Sequence, residues 1–148
     1  MPLVPPESSS GIIKDNSGCQ NTIGYVINLR PKTGGAVCLL DIRPGHLNRN
    51  GMLHGGIMTI LLDVACGYAA SLSFDSTMIA PVLTVSLNMA YVAPVGAGRV
   101  IATGTVTGGG RKICHANGEL RDDNNALIAS AACVFKRITH PQQAKSGP

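Results

Sequence analysis

One carboxylate stands where a carboxylate is hard to place. Asp63 lies in the run Gly55-Gly-Ile-Met-Thr-Ile-Leu-Leu-Asp63-Val-Ala-Cys-Gly-Tyr-Ala-Ala-Ser71, with Ile57, Met58, Ile60, Leu61, Leu62 and Val64 around it at helical spacing. A helix apolar on nearly every face is normally buried, so Asp63 is expected to be buried with it. An ionised carboxylate away from water is costly unless paired or hydrogen-bonded. Such a residue either has a dedicated partner, for which a backbone amide or Thr59 one turn earlier would serve, or it does chemistry. The preceding segment favours chemistry. A polar, glycine-marked loop, His46-Leu-Asn48-Arg-Asn-Gly51-Met-Leu-His54, opens directly into the helix at Gly55-Gly56. Amides at a helix start are free and sit at the positive end of the dipole, where they can receive a developing oxyanion. His54 and Asn48 add side-chain hydrogen-bonding groups.

A donor and a carboxylate on one helix suit acyl-transfer hydrolysis, yet residues 55 and 63 are roughly 12 Å apart along a helix rising about 1.5 Å per residue. They cannot act on one carbonyl within one chain. A two-fold pair, with the loop of one subunit facing the helix of the other, would join them, so the spacing predicts a homodimer.

The pattern His46-x-Asn48-x-x-Gly51-x-x-His54-Gly55-Gly56, followed by Leu62-Asp63, resembles the signature of the PaaI-type hotdog-fold acyl-CoA thioesterases. A weaker likeness runs from about residue 24 to residue 137. The resemblance implies an α+β hotdog fold, a curved antiparallel sheet wrapped around one long central helix. It implies pairing of two such units, and a dimer of dimers. It also implies hydrolysis of an acyl-CoA or aryl-acyl-CoA to free acid and coenzyme A, without metal or other cofactor. By position, Asp63 becomes the base or nucleophile and the Gly55 amide the oxyanion donor. Asn48 and His54 become supporting polar groups, and Gly56 a substrate contact. Thr84, in Val82-Leu-Thr-Val-Ser-Leu87, falls where this family often has a Ser or Thr that helps hold the attacking water. Gly45-His46 resembles the catalytic pair of another hotdog branch, the acyl-carrier-protein dehydratases, but the proline-rich loop of that branch is missing and its helix acid is Glu.

The elements that must position these residues follow from pattern. A chain of 148 residues suits one domain with a single core, here about 23–138, with loose tails at 1–11 and 141–148. Strands are expected over 23–29 and 36–42, a hairpin broken by Pro31-Lys-Thr-Gly-Gly35. The central helix ends near 70–73. After Pro81, the apolar Leu83, Val85, Leu87, Met89 and Tyr91 alternate with Thr84, Ser86 and Asn88, the period of a strand. β-Branched residues mark a further strand over 99–107, which Gly108-Gly-Gly110 interrupts. The stretches 111–120 and 126–136 flank the turn Arg121-Asp-Asp-Asn-Asn125 as another hairpin. One helix among about five to six strands with short connections is an α+β antiparallel architecture.

Composition excludes several classes. Hydrophobic residues are 45% and charged ones 14% of the chain, leaving apolar surface for an oligomer to cover. The net charge is +4, aromatics are 3% and Trp is absent, without the basic stripe and stacking rings of a nucleic-acid binder. The pairs Arg111-Lys112 and Lys136-Arg137 are candidates for the phosphates of coenzyme A, and equally solvated strand ends. Cys19, Cys38, Cys66, Cys114 and Cys133 show no ligand spacing, so neither zinc nor a disulfide framework is expected. Cys66 lies one turn from Asp63, in apolar surroundings that keep a thiol protonated. His46, His115 and His140 suggest no metal or triad and read as surface or loop residues. The glycine run 108–110 lacks the Lys-Ser/Thr of a phosphate loop, and no serine sits in a Gly-x-Ser-x-Gly elbow. No signal-peptide pattern opens the chain. The apolar stretch 55–74 has the length of a membrane span, but Asp at a span centre costs roughly 2.5–3.5 kcal/mol. A buried helix of a cytoplasmic protein, with no membrane partner, is the expectation.

The reading is therefore an acyl-CoA thioesterase with the acyl group open. The alternative is a non-catalytic acyl-CoA-binding protein of the same fold, a sensor or scaffold. Asp63 kept together with Asn48 and the His-Gly-Gly turn favours the enzyme, because a binder needs the pocket but not the base.

Overall fold

The computed structural model describes residues 11–29, 35–76 and 80–138. In chain order these form β1 (Ile12–Ile13), α1 (Gly18–Ile23), β2 (Val26–Asn28), β3 (Ala36–Asp41), a 3-10 turn at Pro44–His46, α2 (Gly55–Phe74), β4 (Val82–Tyr91), β5 (Arg99–Gly109), β6 (Ile113–Asp122) and β7 (Leu127–Arg137). The strands make one seven-stranded sheet in the order β1-β2-β3-β5-β6-β7-β4, antiparallel throughout. Helix α2 packs against β3, β4, β5, β6 and β7. Although α2 is long and apolar enough to cross a bilayer by length and composition, here it is the core helix of the sheet.

Two glycines allow that packing. A Cβ at Gly104 in β5 would lie 2.5 Å from the Ala65 carbonyl, and one at Gly118 in β6 would lie 2.8 Å from Cys66 Sγ. Neither distance is tolerable, so only glycine lets the helix settle this close to the sheet. The helix face so seated, Leu61, Leu62, Ala65, Cys66, Ala69 and Ala70, is buried together with Val100, Leu120 and Phe135. The other face, with Ile60, Asp63, Val64, Gly67 and Tyr68, is only half-buried. The full burial expected of Asp63 is therefore not found in the single chain.

The sheet has seven strands among the described residues rather than five to six, and the expected strand at 23–29 is shorter. Ser17 caps α1, its side chain accepting from the Gln20 N–H at 3.1 Å. Gly24 closes the helix in the left-handed region at φ 89°, so Ile23 ends a helix and does not begin a strand. The glycine run after residue 107 is likewise no break. β5 continues through Gly109, with a register shift between Val106 and Gly108, as a bulge does.

His46 also departs from expectation. It is 3% exposed, not a surface residue. Its Nδ1 accepts from the Arg43 N–H at 2.9 Å and its Nε2 donates to the Ile23 carbonyl at 2.7 Å. The ring ties the end of α1 to the loop that precedes α2.

Candidate active site

The start of α2 is built by its cap. His54 is the N-cap residue, and its Nδ1 accepts from the Gly56 N–H at 2.8 Å. The N–H groups of Ile57 and Met58 donate to the His54 carbonyl at 3.0 and 3.2 Å. Among the described residues no acceptor meets the Gly55 N–H. One open donor thus stands at the positive end of the helix, the arrangement that stabilises a developing oxyanion. The Gly56 amide is engaged by His54 and reaches a substrate only by leaving it.

Asn48 shapes the loop that aims this turn. Its Oδ1 accepts from the N–H groups of Asn50 and Met52 at 2.9 and 3.2 Å, and its own N–H donates to the Met52 carbonyl at 2.7 Å. Gly51 turns the chain with φ 76°, a conformation that favours glycine. The His54 N–H then donates to the His46 carbonyl at 3.0 Å, so the buried imidazole and the loop form one support.

Two further residues brace Gly55. The Thr59 hydroxyl donates to the Gly55 carbonyl at 3.1 Å and lies 2.7 Å from the Tyr91 hydroxyl. Having one proton to give, Thr59 accepts the bond from Tyr91. The Tyr91 ring also covers Gly55, since a Cβ there would lie 3.2 Å from its Cε1. Sequence reasoning offered Thr59 only as a partner for Asp63 and left Tyr91 as a strand residue. Nothing in their spacing links positions 59 and 91.

The partner of Asp63 is Thr84, whose hydroxyl donates to Oδ1 at 2.8 Å. A regular strand would put Thr84 on the face away from Leu87, Met89 and Tyr91. A bulge resolves this: Thr84 pairs with Phe135 and Ser86 with Val134, leaving Val85 as the extra residue. The bulge switches the phase of the strand, so Val82 and Thr84 before it face α2, as Leu87, Met89 and Tyr91 do after it. Leu83 and Val85 are each 55% exposed. Beside the Asp63–Thr84 pair lies a cavity of about 310 Å³, with Gly67, Ser71, Pro81 and Phe135 in its walls.

The sequence profile of the thioesterase superfamily matches residues 50–129, a span holding Gly55, Asp63 and Thr84. The chain belongs to the thioesterase superfamily. A Pseudomonas aeruginosa protein provisionally named an esterase is 35% identical over 101 residues, which are 67% of this chain and 72% of that protein. The Escherichia coli PaaI protein from the phenylacetic acid degradation operon superposes with a TM-score of 0.72 at 22% identity, over 84% of this chain and 87% of its own. A Bacillus halodurans protein solved with CoA superposes with a TM-score of 0.71 at 21% identity, over 82% and 76%. The hotdog fold and the PaaI-type likeness drawn from the segment between His46 and Asp63 both hold, and the protein is a hydrolase of the thioesterase kind.

In this thioesterase the four basic candidates gather at one corner. Ile113, next to Arg111 and Lys112, pairs with Lys136, and the Arg137 N–H donates to the Lys112 carbonyl at 2.8 Å. All four side chains are exposed, and the Arg137 guanidinium lies 5.9 Å from the centre of the Phe74 ring. The corner is thus at the C-terminal end of α2, and the open Gly55 amide is at the other. Cys66 is no nucleophile: its contact with Cys133, followed by burial, pushes its thiol pKa well up, and the protonated form is inert.

Proposed function

We propose that this thioesterase hydrolyses an acyl-CoA to the free acid and coenzyme A at a site shared by two subunits, Asp63 from one and the Gly55 amide from the other. The observation that carries the reading is the Asp63–Thr84 bond at a cavity, with the open Gly55 donor roughly 12 Å away along the same helix. The substrate carbonyl oxygen lies on the Gly55 N–H. Asp63 takes a proton from water as its oxygen bonds to the thioester carbon, and the oxyanion forms against the amide. The C–S bond then breaks, and the CoA sulfur leaves with the proton that Asp63 returns. Thr84 supports the water route over direct attack by Asp63, because while donating to the carboxylate its oxygen can still accept from water. His54 and Asn48 hold the donor loop.

The dimer is supported by β4, an edge strand of ten residues that exposes Leu83, Val85 and Tyr91. A long apolar edge calls for a covering partner, and pairing with a second β4 about a two-fold axis answers it; the dimer of dimers that the PaaI-type resemblance implies would be a further assembly of this unit. The CoA held by the Bacillus halodurans protein supports coenzyme A as the carrier, with Arg111, Lys112, Lys136 and Arg137 as the cations for its phosphates. The reaction needs no metal or other cofactor. The cytoplasm is the setting that suits the free thiols at Cys19, Cys38, Cys66, Cys114 and Cys133.

The test is thiol release from a panel of acyl-CoAs, with and without a chelator. Turnover untouched by chelation and lowered at least ~100-fold by Asp63→Asn, with the fold intact, is expected of a lost general base. Tight binding of every thioester without turnover would make the protein a binder, and full activity of Asp63→Asn would remove that residue from the mechanism.

A further inference from the structure

Helix α2 carries a glycine that neither backbone geometry nor packing explains. Gly67 lies in the helix interior, where glycine is less stable than alanine, and its φ is not among the positive ones. Packing does not demand it. A Cβ at Gly67 would lie 3.4 Å from Phe135 Cε1, an ordinary contact, in contrast to the impossible ones at Gly104 and Gly118. What Gly67 does adjoin is the cavity beside Asp63. Residues 63, 67 and 71 share one helix face at i, i+4 spacing, so the cavity follows that face for roughly 12 Å, from the Asp63–Thr84 pair to Ser71. Its volume of about 310 Å³ stands at the lower end of the ~300–1,000 Å³ of ligand pockets. Val64, Pro81, Val82 and Phe135 supply apolar wall, and Asp63 is the one charged group among the described lining residues. The Ser71 hydroxyl at the far end is already given to the Ala80 carbonyl.

We infer that Gly67 is a specificity-determining residue whose missing side chain keeps this cavity open for an uncharged, medium-sized acyl group. The inference rests on the proposed acyl-CoA hydrolysis, which places the thioester carbon at Asp63 and lets the acyl group run on toward Ser71. An acyl group ending in a second carboxylate would meet apolar wall with no cation among the described lining residues, and is rejected.

The test titrates the full-length Asp63→Asn protein, whose turnover is expected to fall at least ~100-fold, with CoA, octanoyl-CoA and succinyl-CoA by calorimetry. Burying a medium apolar chain should make octanoyl-CoA bind at least ~10-fold tighter than CoA or succinyl-CoA. Adding Gly67→Val should abolish that advantage and leave CoA itself within about threefold. Gly67→Ala guards against misfolding by the larger residue: its melting temperature should rise by about 2–4 °C while the octanoyl advantage shrinks. The inference is overturned if succinyl-CoA binds as well as octanoyl-CoA, or if Gly67→Val leaves octanoyl binding unchanged. It is also overturned if Gly67→Val weakens CoA equally, because the cavity would then hold the thiol arm of the carrier. The hydrolysis reading is judged separately by turnover of octanoyl-CoA with Asp63 restored, so an inert enzyme with the expected binding pattern sinks that reading alone.

Discussion

Thr84 donates to Asp63 across 2.8 Å, from a bulged edge strand to the middle of the core helix. The bond fixes one carboxylate oxygen of a residue that lines the cavity. Removing the hydroxyl in Thr84→Ala should lower kcat by about tenfold, near the low end of what a bond to a charged group contributes, because Asp63 is half-buried and water replaces part of the loss. KM should change little, and Thr84→Ser should keep most of the rate. Steady-state kinetics decide it: a raised KM with kcat intact would make Thr84 a cavity wall and nothing more.

His54 acts through its cap. Because Nδ1 accepts from the Gly56 N–H at 2.8 Å, the ring braces the turn that carries the Gly55 donor. His54→Asn supplies another good capping oxygen and should retain measurable turnover, whereas His54→Ala should lose about 0.5–2 kcal/mol of stability in denaturant unfolding. Complete loss of activity in a stable His54→Asn would instead make the imidazole the proton carrier.

Tyr91 and Thr59 form a chain of hydroxyls ending on the Gly55 carbonyl. Tyr91→Phe keeps the ring over Gly55 and deletes only the bond, so it should lower kcat by roughly three- to tenfold, the worth of one ordinary hydrogen bond. Tyr91→Ala should cost more, since the cover is lost too. Equal rates for Tyr91→Phe and wild type would leave the ring with a packing role alone.

Sharing of the site predicts complementation. A dimer of one Asp63→Asn chain and one Asn48→Ala chain has both defects in one site and none in the other. After subunit exchange between equal amounts of two inactive variants, half the dimers are mixed and roughly a quarter of wild-type activity should return. Native mass spectrometry confirms the exchange. Mixed dimers without recovered activity would assign Asp63 to the donor loop of its own chain.

Local pattern alone revealed the core helix, the loop that opens it and the odd carboxylate within it, because capping, helical periodicity and the scarcity of buried charge are written in neighbouring residues. It also showed that Gly55 and Asp63 cannot meet within one chain, since helix rise is a constant. Tertiary structure decided the rest. Thr84 reads as a residue on the polar face of its strand until the register with β7 inserts a bulge at Val85. His46 reads as a loop residue until the Ile23 carbonyl, 23 positions earlier, arrives to bury it. The hydroxyl chain from Tyr91 to Gly55 depends on a bond between Thr59 and Tyr91, residues 32 positions apart. Such contacts depend on strand register and on where distant segments are packed, and neither is encoded in the spacing of residues along the chain. The same reason separates Gly67, Gly104 and Gly118: they look alike in sequence, and only the packed helix shows that Gly104 and Gly118 are required by contact while Gly67 lies against Phe135 at the cavity wall.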